Sequence, residues 1–293
     1  MNSVAILIQQ VGGGVATGVI YGLVALALVV IYQATEKINF AQGEMAMFST
    51  FSAWAMIQAG LPYWVAFSAT IAGSFALGAL IERFVIRGMA KAPVLSVVIV
   101  FIGLMLVFNS LAGLLFGHTM REFPSPFQGT AWLQNGIISA HRLGSILVCL
   151  LLLAGIYGFF AHTRYGLAMR AAAVNPASSM LCGIPVPLMY SLGWGGAAAV
   201  GAVAGMMVAP VVFLDTHMMS GVLLYAFAGA LLGGITNPWG ALLGGILMGV
   251  GENLLGAYLI GSELKMTFAL LVLVAVLLLR PQGLLGKTIV TRV

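Results

Sequence analysis

Charge is what this sequence has least of. Only 6% of its 293 residues are charged, seven acidic and twelve basic, where a soluble domain carries about 25%. So few charges cannot hydrate a globular surface. The 61% hydrophobic share therefore reads as a polytopic membrane protein. Cysteine is nearly missing too. Cys149 lies in an apolar run and Cys182 in a polar break, which makes neither a disulfide framework nor a metal motif, and no metal site is expected. The four histidines are scattered singles, again without metal-ligand spacing. No polybasic tail or basic face is present, so nucleic acid is excluded as a partner. The amino terminus has no basic region ahead of its apolar run, so the first span is expected to stay rather than be cleaved as a signal peptide.

Nucleotide-binding chemistry is missing as well. Gly286-Lys287-Thr288 looks like the end of a phosphate-binding loop, but the pattern needs glycine where Pro281 stands. Any ATP would have to be bound by another chain, and no cofactor is expected in this one. Asn175-Pro176-Ala177 and Asn237-Pro238-Trp239 do not make the paired pore turns of a water channel. Only the first is the full tripeptide, and it sits in a basic break.

What is present is a series of long apolar runs, which indicates helices rather than an outer-membrane barrel of alternating segments. They lie near 6–32, 40–58, 63–86, 94–116, 144–161, 188–213, 220–234, 239–259 and 266–279. The fold class is all-α and polytopic, with about eight to ten transmembrane helices. Short or broken helices are expected near 33–45 and 220–259. Residues 1–293 are read as a single transmembrane domain. The 38 glycines recur as small-xxx-small pairs, among them Gly14/Gly18, Gly18/Gly22, Gly229/Gly233, Gly240/Gly244 and Gly245/Gly249. This spacing lets membrane helices approach closely.

Two sizeable breaks interrupt the runs, 162–187 and 117–143. If 162–187 is cytoplasmic, alternation puts Lys37, Arg83, Arg87, Lys91, Arg164, Arg170, Arg280, Lys287 and Arg292 inside. Arg121, Arg142 and Lys265 are then outside, nine against three of the twelve basic residues. The positive-inside rule favours that orientation, with the amino terminus outside and the carboxyl terminus cytoplasmic. The break at 117–143 becomes an external loop. Either it is an interfacial segment with Trp132 at headgroup depth, or it is a contact for an external partner.

Four acids lie in or near the apolar runs: Glu44, Glu82, Asp215 and Glu252. Glu82, beside Arg83, and Asp215 read as interfacial. A carboxylate at membrane depth must be paired, protonated or wet. Asn39 is expected to cap the next helix, with Gln42 reaching back in a capping-box arrangement and Glu44 near the positive end of that helix dipole. Glu44 then either braces the helix entry or lines a polar path. Glu252, followed by Asn253, is deeper in its run and reads as cavity-facing. Asn39, Gln42, Glu44, Glu252 and Asn253 are thus the candidate substrate-pathway residues.

Taken together the motifs resemble one family. Ile38-Asn-Phe-Ala-Gln-Gly-Glu-Met45, Arg164-Tyr-Gly through Arg170-Ala-Ala-Ala-Val-Asn-Pro-Ala177, Cys182-Gly-Ile184, Gly233-Gly-Ile-Thr-Asn-Pro-Trp-Gly-Ala-Leu-Leu-Gly-Gly245 and Arg280-Pro-Gln-Gly-Leu-Leu-Gly286 resemble, in the same order, the permease subunits of bacterial ABC importers for branched-chain amino acids. The family often has His where Gln42 stands. The resemblance implies a bacterial inner-membrane permease subunit that itself catalyses no reaction. It implies as partners two ATP-binding cassette subunits, a second permease chain as homo- or heterodimer, an external substrate-binding protein and membrane lipid. It also makes 162–187 the cytoplasmic ATPase-coupling loop, with Arg164, Gly166, Arg170, Ala171, Asn175, Ala177 and Gly183 as coupling residues. Urea, short amides or other small carboxylates are alternative solutes within the family. A stand-alone channel or secondary transporter, with Glu44 and Glu252 as ion sites, is the alternative of a different class.

Overall fold

The computed structural model describes residues 3–35, 37–89, 92–127, 139–261, 264–280 and 282–286. Trp132, Pro281 and the basic residues Lys91, Lys287 and Arg292 lie outside the described residues. Among the described residues nine helices answer the nine expected runs: α1 (Ser3–Thr35), α2 (Gln42–Gln58), α3 (Tyr63–Ile81), α4 (Val94–Phe116), α5 (Ala140–His162), α8 (Val186–Val212), α9 (Met218–Gly233), α10 (Pro238–Leu255) and α11 (Lys265–Leu279). Two short helices, α6 (Arg164–Val174) and α7 (Pro176–Leu181), occupy the 162–187 break. Among the described residues six helical segments are long and apolar enough to cross a membrane, and α9 and α11 are shorter apolar helices. Among the described residues the sole β pairing is one bridge between Arg121 and Leu214.

The helices expected to be short or broken are of two kinds. Between α1 and α2, residues 37–41 are extended or turn. Between α9 and α10, Asn237 begins the new helix. Its Oδ1 accepts from the backbone N–H groups of Trp239 and Gly240, and its Nδ2 donates to the Leu285 carbonyl. Pro238 follows at the first helical position, where its missing N–H costs nothing. Asn237→Ala is expected to cost about 1 kcal/mol, the usual loss of an N-cap, read as a lowered unfolding temperature in detergent.

The chain forms two compact units interleaved in sequence. One is Met1–Val29, Ser125–Cys149 and Gly221–Val293; the other is Val30–Pro124 and Leu150–Ser220. The first is a glycine seam. Gly14 and Gly18 of α1 lie against the backbone of Val250 and Ile246 in α10, where an added Cβ would come within 2.7 Å of each Cα. Gly229 of α9 lies as closely against Gly245. Glycine is required at these crossings because the partner atoms are backbone and cannot swing away.

In the second unit α3 runs antiparallel to α8. Gly78 meets the Trp194 carbonyl, where a Cβ would stand 2.6 Å away. Trp194 is wholly buried and stacks on Phe101 of α4, with ring centroids 5.8 Å apart.

Candidate functional site

Helix α2 is the element whose placement decides the site. The Gln42 Nε2 donates to the Ala197 carbonyl in the middle of α8 at 2.9 Å. Gly201 faces the same amide, and Gly205 faces Thr50. Helix α2 therefore runs alongside the second half of α8. Ala197 lies eleven residues beyond Val186, about 16 Å along the helix axis at 1.5 Å per residue. So α2 starts deep in the bundle, while Lys37, just before it, still reaches the Met89 carbonyl beyond α3.

The expected capping box does not form. The residue ahead of α2 is Ala41, with no side-chain cap. Asn39 stands two residues too early and closes a turn instead, its Oδ1 accepting from the Ala41 N–H at 3.0 Å. Gln42 is the first helical residue rather than the third. Its Oε1 accepts from Asn39 Nδ2 at 3.3 Å, and its nitrogen is committed to α8. Both side chains are fully buried and fasten the helix start.

Glu44 points from that first turn toward α4. It is 7% exposed. Its Oε2 accepts from Asn109 Nδ2 at 3.4 Å, a long contact. Asn109 donates more strongly to the Thr216 carbonyl, at 2.9 Å, and lies 3.5 Å from His217 Nδ1. Residues 213–217 reach this depth because the chain reverses sharply. Phe213 has a φ of 65°, and Leu214 exchanges two backbone hydrogen bonds with Arg121. Asp215 is half-buried and accepts from the His217 N–H at 3.1 Å, which closes this turn. Among the described residues Glu44 has no cation within ion-pair distance. The helix start contributes about 0.3–1 kcal/mol to a carboxylate in its first turn. That does not offset the several kcal/mol of burying an ion.

Glu252 is placed differently. Its Oε2 accepts from the Tyr21 hydroxyl at 2.8 Å, and its Oε1 lies 3.7 Å from Lys265 Nζ. Tyr225 stacks on Tyr21, with centroids 4.9 Å apart and planes at 7°. Asn253 Nδ2 donates to the Gln10 carbonyl at 3.3 Å. Asn253 therefore ties α10 to α1. Glu44 and Glu252 belong to different units.

Glu82 is 1% exposed, and its ion-pair partner is Arg87 rather than the adjacent Arg83. A π-helical stretch, Glu82–Ile86, ends α3. There Arg87 Nη2 and Nε donate to the two carboxylate oxygens at 2.6 and 3.2 Å. Ser191 of α8 adds a 2.5 Å bond to the same carboxylate, while Arg87 also reaches the Pro187 carbonyl. Arg83 lies over the Phe84 ring instead.

In the 162–187 loop, Thr163 caps α6 by accepting from the Gly166 N–H, and Asn175 caps α7 by accepting from the Ser178 N–H. Asn175 thus marks the joint between the two helices. Met169 and Ala172 are buried with Val186 and Met189, which seats α6 on the start of α8. Two expected coupling residues have internal reasons. A side chain at Gly166 would strike the backbone of Phe159 and Phe160, and Gly183 has a φ of +80° where α7 ends. The outward surface carries Arg164, Arg170 and Ala177. With them stand Val174 and Leu181, 87% and 91% exposed, and neither arginine has an acidic partner among the described residues. Ala171 is half-buried.

Sequence reasoning missed Asn109, Thr216 and His217 around Glu44, and Tyr21, Tyr225 and Lys265 around Glu252. One signal was available. Asn109 is a lone amide in the run Val94–Phe116, and such a group at membrane depth needs a partner. In the 117–143 break, Arg121 lies over Trp54 at 4.2 Å and donates to the Phe116 carbonyl. Its described start is therefore tied to the bundle.

The family described as "Branched-chain amino acid transport system / permease component" matches residues 10–277. The high-affinity branched-chain amino acid transport system permease protein LivH of Salmonella typhimurium is 30% identical, over 98% of this chain and 97% of its own length. BraD of Pseudomonas aeruginosa, named as a permease of the same kind, is 30% identical over 98% of each chain. A probable LivH of Methanocaldococcus jannaschii is 25% identical over 90% of this chain and 88% of its own. Among solved structures, PsaBC from Streptococcus pneumoniae in complex with Fab aligns with a TM-score of 0.52 and 14% identity, covering 92% of this chain and 91% of that one. At that identity the likeness concerns the fold alone.

Proposed function

The chain belongs to the family of branched-chain amino acid transport permease components, and on that premise we propose that it is the membrane-spanning subunit of an ATP-driven importer of branched-chain or related amino acids. Family membership and the apolar helices make it a multi-pass membrane protein. The relatives' names supply the solute class. In this reading the chain performs no chemistry. Separate ATPase subunits dock at α6 and α7, a second permease chain completes the pathway, and an external binding protein delivers the solute. The α6–α7 end is cytoplasmic in a bacterial inner membrane, as the basic-residue asymmetry indicates.

The observation that carries the proposal is the surface of α6 and α7. Arg164 and Arg170 are exposed without acidic partners among the described residues, beside fully projecting Val174 and Leu181. A soluble partner with an acid-rimmed apolar cleft would cover both features. Because Ala172 and Met169 lock α6 to the start of α8, a push on the short helices is passed directly to a membrane helix.

The test is amino acid uptake by the reconstituted complex. Arg170→Glu is expected to lower ATP-dependent uptake at least tenfold and to weaken retention of the ATPase subunits on purification, with the permease still folded. Unchanged uptake and unchanged ATPase stimulation would remove the docking role. Robust flux through the purified chain alone, without ATP or partners, would replace the proposal with a channel.

A further inference from the structure

Three acids are buried among the described residues, and two of them are neutralised internally. Glu82 has Arg87, and Glu252 has Lys265 and the Tyr21 hydroxyl. Glu44 is 7% exposed, and among the described residues its hydrogen bond is one long contact from a neutral amide, Asn109, with the exposed His217 as its titratable neighbour beyond ion-pair distance. It also sits where α2 begins deep in the bundle, beside the inward turn that carries Thr216 and His217. A helix that starts at depth next to a reversed segment exposes polar backbone and side chains there. Such broken elements hold solute in transporters.

We propose that Glu44 binds the protonated amine of the transported solute, with Asn109 holding the carboxylate in place. The buried carboxylate then acquires its missing cation only while solute is bound. Glu44, the one buried acid among the described residues without an ion pair, becomes a recognition device for an ammonium group. Solutes without a protonated amine, such as urea, neutral amides or simple carboxylates, would leave Glu44 unpaired and would not satisfy the site. This assignment rests on the importer reading and narrows it to amino acids or amines.

The residues around Glu44 fit this role. Asn109 is anchored by the Thr216 carbonyl at 2.9 Å, which fixes its orientation independently of any solute. The Thr216 carbonyl is in turn held by the pairing of Leu214 with Arg121. His217 is exposed, so the cluster is open on that side. Gln42 and Asn39, by contrast, are consumed by structure and are not assigned to solute.

The experiment uses the whole reconstituted complex and measures L-leucine taken up per ATP hydrolysed. Glu44→Gln is expected to lower that ratio at least tenfold, and Glu44→Asp to restore a third or more of it. A bracing role would lower uptake and hydrolysis together and leave the ratio unchanged. Asn109→Lys places a tethered ammonium beside the carboxylate. It is expected to raise the unfolding temperature while abolishing uptake, because the site is then occupied by the protein's own amine. An Asn109→Lys protein that is destabilised, or that transports normally, overturns the proposal, as does Glu44→Gln with a ratio within twofold of the parent. A parent complex with no ATP-dependent amino acid uptake overturns the importer reading itself, which is a separate outcome.

Discussion

Gly245→Leu is expected to abolish accumulation of folded protein in the membrane. Gly245 lies directly on the backbone of Tyr21 and Gly22 in α1. On its other side Gly229 of α9 approaches its own Cα. Helix α10 is therefore gripped from two directions by main chain. In water a forced separation would be partly offset by the burial that remains. In lipid the hydrocarbon solvates exposed leucine as well as a neighbouring helix does, so close packing is itself the main attraction. An over-packed site costs about 1–3 kcal/mol when side chains can yield, and here the obstructing atoms are backbone, so the upper end or beyond is expected. The measurement is the monodisperse fraction on size exclusion after mild detergent extraction. Gly73→Leu is the matched control. It is helical, exposed and has no atom within 4 Å of an added Cβ, so it should stay within about 0.5 kcal/mol of the parent. Equal loss in both proteins would show that the seam has no special weight.

Arg87→Met is expected to be the next most damaging change. It strips the Glu82 carboxylate, whose side chain is 2% exposed, of two charge-assisted bonds and leaves it the Ser191 hydroxyl. Removing one partner of a fully buried pair costs about 3–5 kcal/mol, mostly because the other charge is stranded; the Arg87 side chain is 38% exposed, so water reaches the pair and a smaller loss of about 2–3 kcal/mol is expected. The expected signature is rescue. Arg87→Met combined with Glu82→Gln should recover more than half of the loss, since no charge is then left buried. Arg87→Lys should fall between, because an ammonium cannot reproduce the two-pronged contact. A double-mutant cycle on unfolding temperature checks all three. Additive losses in the double mutant would mean that the residues act independently. The brace joins the end of α3 to the first turns of α8, the helix on which α6 is seated. It therefore holds the membrane end of the proposed coupling path.

The two acids of uncertain role in the sequence illustrate how far sequence can go. Glu44 and Glu252 are both single carboxylates in apolar runs, and composition treats them alike. Their environments separate them. The partners of Glu252 are 231 and 13 residues away along the chain, Tyr21 and Lys265. Asn109 is 65 residues from Glu44. No local pattern encodes such distances. The capping-box expectation at Asn39 and Gln42 failed for a related reason. Local spacing allowed it, but a carbonyl on α8 and the gap offered by Gly201 drew the glutamine away.

What the sequence determined by itself was the solvent and the segments. The shortage of charge required lipid around the chain, the apolar runs located the nine longer helices among the described residues, the basic break marked the loop at 162–187, and the glycine spacing announced close helix contacts. These depend on composition and on periods of a few residues, so they survive without knowledge of neighbours. Only the tertiary structure decided which helices touch, at what depth α2 begins, and which of the three acids buried among the described residues has no ion pair. The cost of a buried carboxylate is set by the atoms a few ångströms from it, and in this chain those atoms come from distant parts of the sequence.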